Sequence, residues 1–132
     1  MAYSYQLKRV DFIFRNENDW EKILSTTIKK KPEDIVNELI SSELKGRGGA
    51  GFPTGLKWKL TSETNAKQKF VICNADEGEP GTFKDREILS RVPYKVLTAM
   101  AVCGYVTGAK TGYIYLRGEY KFLEEELYKA ID

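Results

Sequence analysis

The chain contains no histidine. That absence excludes serine–histidine catalysis, histidine-ligated zinc and the side chain that most often serves as general base near neutral pH. Cysteine is nearly absent as well, since Cys73 and Cys103 stand alone, each inside an apolar run and without a C-x-x-C partner. Isolated thiols of this kind read as buried structural residues of a reducing compartment rather than as a disulfide or redox pair, and no metal site is expected. No apolar run approaches the ~18 residues of a membrane-spanning helix and no signal-peptide pattern opens the chain, so a soluble cytoplasmic protein without direct membrane insertion is expected. Charge bias is missing too: 21 Lys plus Arg against 19 Asp plus Glu leave a net +2. With no basic stripe interleaved with aromatics, nucleic acid is not the expected partner.

What the chain does have is glycine concentrated in one place. The run Gly46-Arg47-Gly48-Gly49-Ala50-Gly51-Phe52-Pro53-Thr54-Gly55-Leu56-Lys57-Trp58 holds five glycines and two cations. Ordered glycine costs about 0.5–1 kcal/mol of backbone entropy relative to alanine, so a dense run means either a flexible connection or a main chain that something must approach closely. Pro53 and Thr54 read as a helix start, with Leu56, Trp58 and Leu60 beginning an amphipathic turn. A glycine loop feeding a helix N-terminus offers free N–H groups to a phosphate, and Arg47 and Lys57 add charge at its two ends. Neither G-x-G-x-x-G after a strand nor G-x-x-x-x-G-K-[ST] is met.

The 132 residues leave room for one domain with a modest core. Residues 1–15 alternate weakly at Val10, Phe12 and Phe14, as a strand or an extended arm would. Asn18 or Asp19 can cap a helix running to Lys30, with the lysine run 29–31 at its dipole-favoured end. Pro32 opens a second helix that buries Ile35, Val36, Leu39 and Ile40 and stops at Gly46. The polar stretch 62–68 reads as a linker. Lys69 to Asn74 is a nearly continuous apolar run, expected as a strand buried on both faces of a parallel sheet. Its carboxyl end delivers Asn74, Asp76 and Glu77, where open α/β sheets place their ligands. A helix from Pro93 to Gly108, a strand over 111–116 and a helix over 120–131 burying Phe122, Leu123, Leu127 and Ile131 complete a βαβα order. The glutamates 124–126 are expected on the surface.

The glycine run and the later Asn74-Ala75-Asp76-Glu77-Gly78-Glu79-Pro80-Gly81-Thr82-Phe83-Lys84-Asp85-Arg86 together closely resemble the NADH- and FMN-binding flavoprotein subunit of respiratory complex I and the related subunits of NAD-linked hydrogenases and formate dehydrogenases. The resemblance implies an FMN-dependent NADH dehydrogenase, passing hydride from NADH to FMN and electrons on to iron–sulfur clusters of partner subunits, a thioredoxin-like one among them. It implies an α/β fold: 1–61 an N-terminal helical segment carrying the loop at 46–58, and 62–132 the first half of a Rossmann-like FMN-binding domain. It implies cofactor contacts from Gly46, Arg47, Gly48, Gly49, Ala50, Phe52, Lys57, Asn74, Asp76, Glu77 and Glu79. By that resemblance Arg47 and Lys57 meet the flavin mononucleotide, and Asn74 and Asp76 its ribityl and phosphate side. Glu77, the catalytic candidate, and Glu79 face the nicotinamide and its ribose, and Phe52 stacks on adenine. Leu60 stands where members often carry a second phenylalanine, a departure that touches the adenine contact.

The resemblance reaches only the N-terminal portion of the family. Members continue with the rest of the sheet, a Gly-Glu-Glu loop, paired asparagines, a ubiquitin-like module and a four-cysteine iron–sulfur segment. A fragment needing its C-terminal half is therefore expected, soluble or peripheral on the inner face of a membrane within a complex. The alternative is a non-catalytic nucleotide-binding or assembly module derived from the same family.

Overall fold

The computed structural model describes residues 13–15 and 19–132. The strand or arm expected over 1–15 lies outside the described residues, save for 13–15. Lys95 fastens that short piece, its Nζ donating to the carbonyls of Ile13 and Arg15 at 2.9 Å each.

Helix α1 (Trp20–Thr27) stops short of the expected Lys30. Lys31 precedes Pro32 and is extended, at φ −68° and ψ 146°, because the proline ring disfavours helical backbone before it. Helix α2 (Pro32–Ser41) carries Glu33 and Asp34 in its first turn and buries Ile35 and Val36, while Ile40 stays exposed. Its stop comes before Gly46: Glu43 turns out of the helix with left-handed backbone, φ 53°, and donates its amide to the Ile40 carbonyl. Helix α3 (Thr54–Glu63) follows the loop. It is not the amphipathic helix that Leu56, Trp58 and Leu60 suggested, since Leu56 and Leu60 face solvent while Trp58 packs inward. The helix continues through 61 and 62, so the expected boundary between those residues falls inside its last turn and the linker begins at Thr64.

Strands β1 (Phe70–Ala75) and β2 (Thr111–Leu116) pair in parallel, from Phe70 opposite Thr111 to Ala75 opposite Leu116. Parallel neighbours require a crossover, here α4 (Lys84–Arg91) and the long α5 (Pro93–Thr107), which ends at Gly108 with φ 77°. Helix α4 was not anticipated. Its apolar content is small, and it is held by Leu89, buried in the core, and by a cap described below. Among the described residues only one face of the sheet is covered, which corrects the expectation of a strand buried on both. Cys73, Ala75, Ile114 and Leu116 pack inward, while Phe70, Ile72, Tyr113 and Tyr115 are exposed.

Beyond β2 the expected single helix divides into a 3-10 helix (Gly118–Leu123) and α6 (Glu124–Ile131). The change of pitch turns Tyr120, Leu123 and Leu127 inward and leaves Phe122 and Ile131 exposed, reversing two of the burials expected. Among the described residues the core has two centres. One gathers Ala75, Leu89, Tyr120, Leu123 and Leu127; the other gathers Ile35, Val36 and Val106 with Trp58 against them. Helix α5 joins both, through Val96 in the first and Val102 and Val106 in the second.

Candidate functional site

The glycine loop is a closed projection. Lys45 and Pro53 form an antiparallel bridge at its base, the Gly46 amide donates to the Phe52 carbonyl at 3.0 Å, and the Thr54 amide donates to Leu44 at 2.8 Å. Between these ties, no described hydrogen bond takes up the amides of 47–52. Arg47, Gly48, Gly49, Ala50 and Phe52 are exposed, and a Cβ added at Gly48 or Gly49 would meet nothing within 4 Å. The loop is therefore a set of open main-chain donors with a cation at position 47. Just beyond it, Gly55 does a different job: a Cβ there would come within 2.7 Å of both the Cγ1 and the amide nitrogen of Ile40, so this glycine lets α3 lie directly on α2. The helix N-terminus is thus only partly available to a ligand, because the Thr54 amide is already bonded and Gly55 is packed away. Lys57 is exposed on α3, and its charge is felt at Cys103 on α5, whose thiol burial nonetheless pushes up.

The acidic segment begins where β1 ends. Asn74 is exposed and its Oδ1 accepts from the Asp76 amide at 3.1 Å, turning the chain out of the strand. Asp76 and Glu79 are exposed. Glu77 is not: it is 2% exposed, and both its carboxylate oxygens are used. Oε1 accepts from the Asp85 amide at 3.0 Å, and Oε2 accepts from the Tyr120 hydroxyl at 2.8 Å and, more distantly, from the Arg86 amide at 3.5 Å. Those amides are orphan donors in the first turn of α4, so Glu77 caps that helix from outside it. Burial alone would raise its carboxyl, but the Asp85 amide, the Tyr120 hydroxyl, the Arg86 amide and the charge of Lys84 outweigh burial and hold it below the usual carboxylate range. Glu77 was expected to offer its carboxylate to a nicotinamide; the structure commits it inward instead, because the α4 N-terminus and a buried tyrosine hydroxyl both need an acceptor.

Asp76, Glu77 and Glu79 share the carboxyl end of the sheet with Lys84 and with Arg117, which follows β2. Lys84 bonds Asp85 at 2.7 Å and feels Glu77 and Glu79; Arg117 feels Asp76. The Arg117 guanidinium donates to the carbonyl of Glu77 and to Glu119 at 2.6 Å, holding the Glu119 carboxyl at about 2. No described hydrogen bond or ion pair joins this cluster to the loop 46–52, so the two motifs stand as separate groups. Arg117 and Tyr120 were missed from the sequence. The available signal was their position just past the end of β2, the strand neighbouring β1. Neither of two large grooves contains the expected site residues. One, about 730 Å³, runs along β2 beside Leu97, Met100, Leu127 and Tyr128, and the other, about 610 Å³, lies among α1, α2, α3 and α5.

A family model described as the Nuo51 FMN-binding domain matches residues 39–132. The chain is 48% identical over 118 residues to the alpha subunit of the NAD-reducing hydrogenase HoxS of Cupriavidus necator, covering 89% of this chain and 20% of that one. It is 50% identical over 100 residues to a subunit of the NADH-quinone oxidoreductase of Rhizobium meliloti, covering 76% and 24% respectively. Among solved structures, an NAD+-reducing NiFe hydrogenase in the H2-reduced state aligns with a TM-score of 0.74 at 44% identity, over 79% of this chain and 18% of the other. The chain spans about a fifth to a quarter of the length of the curated relatives it matches.

Proposed function

The chain belongs to the Nuo51 FMN-binding domain family, and on that premise we propose that it is the flavin- and dinucleotide-binding portion of an NADH dehydrogenase, where hydride passes from NADH to FMN. The observation that carries this reading is that one family match, over 39–132, takes in both the glycine loop and the acidic segment. Relatives named as subunits of an NAD-reducing hydrogenase and an NADH-quinone oxidoreductase support a nicotinamide dinucleotide as the substrate.

The residues present fit a flavin mononucleotide by their donor chemistry: unbonded loop amides, glycines that leave the main chain open, and exposed cations at 47 and 57. FMN supplies, when bound, an acceptor that takes hydride as a pair of electrons and returns electrons singly. Gly48, Gly49 and Ala50 keep main-chain donors unobstructed for the ligand, while Gly46, its own amide bonded to Phe52, closes the base of the cradle beside it. Arg47 and Lys57 neutralise its phosphate. Asn74 and Asp76 accept from ribityl hydroxyls, and Glu79 accepts from the nicotinamide ribose, since a carboxylate beside a phosphate would be repelled. Phe52, 51% exposed, offers a ring face to adenine. Glu77 acts from behind the segment, as a positioning group. In this reading 1–61 presents the loop and 62–132 begins a Rossmann-like domain completed by a C-terminal half. Onward electrons go to iron–sulfur clusters of partner subunits, in a complex that is cytoplasmic or peripheral to a membrane.

The test is the visible spectrum of the purified chain after incubation with FMN and desalting, followed by anaerobic NADH. Retained flavin that bleaches is the expected result, if need be only after the C-terminal half is added in trans. Flavin that is retained in neither case would favour the assembly-module reading. Lys57→Ala should weaken FMN binding by roughly one to two decades through loss of a charge-assisted contact, and unchanged affinity would remove Lys57 from the site.

A further inference from the structure

The segment between β1 and α4 has little to hold it. Its described main-chain bonds are local: Gly78 amide to Asp76, and the Thr82 amide and hydroxyl to Glu79. Residues 78–83 are exposed. Its anchor is Glu77, gripped at three points from two directions. The Asp85 amide and the Tyr120 hydroxyl take its two carboxylate oxygens, and the Arg117 guanidinium takes its carbonyl. Arg117 is itself well placed, its amide continuing the sheet ladder to the Ala75 carbonyl at 3.2 Å and its guanidinium steered by Glu119. Tyr120 sits in the core at 8% exposure. Both therefore reach the segment from the far strand, across the end of the sheet.

We propose that Arg117, Glu77 and Tyr120 form a latch that holds segment 76–83 against the end of β2, and that this latch sets how well the outward carboxylate of Glu79 receives the dinucleotide. The inference rests on the functional reading above and adds positioning residues to it. The device has two states because a carboxylate kept from water without its partners is costly. Latched, Glu77 stays inside. Deprived of the tyrosine hydroxyl it moves to water and carries Asp76 and Glu79 with it. Binding then falls with the fraction of molecules whose segment is in place.

The experiment uses the full-length flavoprotein carrying this sequence, with Tyr120→Phe, Glu77→Gln and the double variant, and reads KM for NADH, kcat, flavin content and hydrogen exchange. In Tyr120→Phe the KM for NADH is expected to rise about tenfold, the factor carried by one hydrogen bond to a charged group, with kcat changed by less than about twofold. The amides of Asp85 and Arg86 should exchange faster. Adding Glu77→Gln to Tyr120→Phe should return KM toward the wild-type value, because a neutral amide stays buried without the hydroxyl. A Tyr120→Phe protein that is less stable but has unchanged KM would overturn the latch, as would a double variant no better than the single. A wild-type protein that holds flavin in no form and oxidises no NADH fails the functional reading and takes the dinucleotide half of the inference with it. Unchanged exchange at Asp85 and Arg86 in Tyr120→Phe would sink the mechanical half separately.

Discussion

Gly55 and Gly48 look alike in the sequence and differ in what a methyl group would meet. At Gly55 it would meet the backbone nitrogen of Ile40 at 2.7 Å and the carbonyl carbon of Leu39 at 3.0 Å, so α2 and α3 would have to separate. Gly55→Ala is expected to lower stability by about 1–3 kcal/mol, the range of core overpacking, read by urea titration. Gly48→Ala meets open space and should leave stability within about 0.5 kcal/mol. If the loop serves as a main-chain cradle, that second variant should nonetheless bind FMN more weakly by fluorescence titration, and undiminished binding would argue against the cradle. The same scale shows the limit of reading residues by type. Glu77 and Glu79 stand two apart in one motif, yet Glu77 is buried under a helix N-terminus and Glu79 is in solvent. Nothing in the carboxylates themselves distinguishes them, because the difference is made by Tyr120 and the α4 amides arriving from elsewhere.

At the scale of elements, the joint between β1 and α4 depends on ionisation. The Glu77 carboxyl is held below its ordinary range, so the folded state binds its proton less readily than the unfolded chain. Its contribution is therefore complete at neutral pH, begins to fade as pH drops past the unfolded carboxylate value of about 4.3, and is lost as pH falls through the lower folded value. Glu77→Gln should be less stable than wild type near neutrality, by about 0.5–2 kcal/mol for a weakened cap, and the two should converge in acid. A stability difference independent of pH in thermal melts would show that the charge is not what the α4 N-terminus uses. Turn and breaker residues made most elements legible: Pro32, Pro93 and Gly108 sit at the ends they suggested. Helix α4 was hidden because it is one short stretch with two aliphatic residues, Ile88 and Leu89, and its cap lies outside it, across a loop. The early end of α2 was set by Glu43 in a left-handed turn, which no composition rule anticipates.

At the scale of the whole molecule, the described residues cover the sheet on one face only. Parallel sheets are ordinarily covered on both, and here Phe70, Ile72, Tyr113 and Tyr115 line the open one, with Ile72 65% and Tyr115 61% exposed and the Phe70 and Tyr113 rings 5.9 Å apart. Exposed apolar surface beside open strand edges favours association. The isolated 132-residue chain is expected to show concentration-dependent self-association in sedimentation velocity. Ile72→Lys with Tyr115→Lys should reduce it and leave far-ultraviolet circular dichroism unchanged, since neither side chain contributes to the core. A wild-type chain that stays monomeric at every concentration would show that this face is not adhesive.

Two long motifs in a fixed order were enough for the sequence to determine the family, because glycine placement and clustered carboxylates are local patterns that survive without knowledge of the fold. Apolar runs and proline determined that a parallel strand pair with an intervening helix would form, because periodicity and missing donors act within a few residues. What only the tertiary structure decided is which polar groups are spent on the protein and which are left for a ligand. Arg117 and Tyr120 lie some forty residues from Glu77, and hydrogen bonds between strand ends depend on pairing register, which no local pattern encodes. The outward turn of Ile72 and Tyr115 likewise depends on which sheet face α5 covers, a matter of packing between elements.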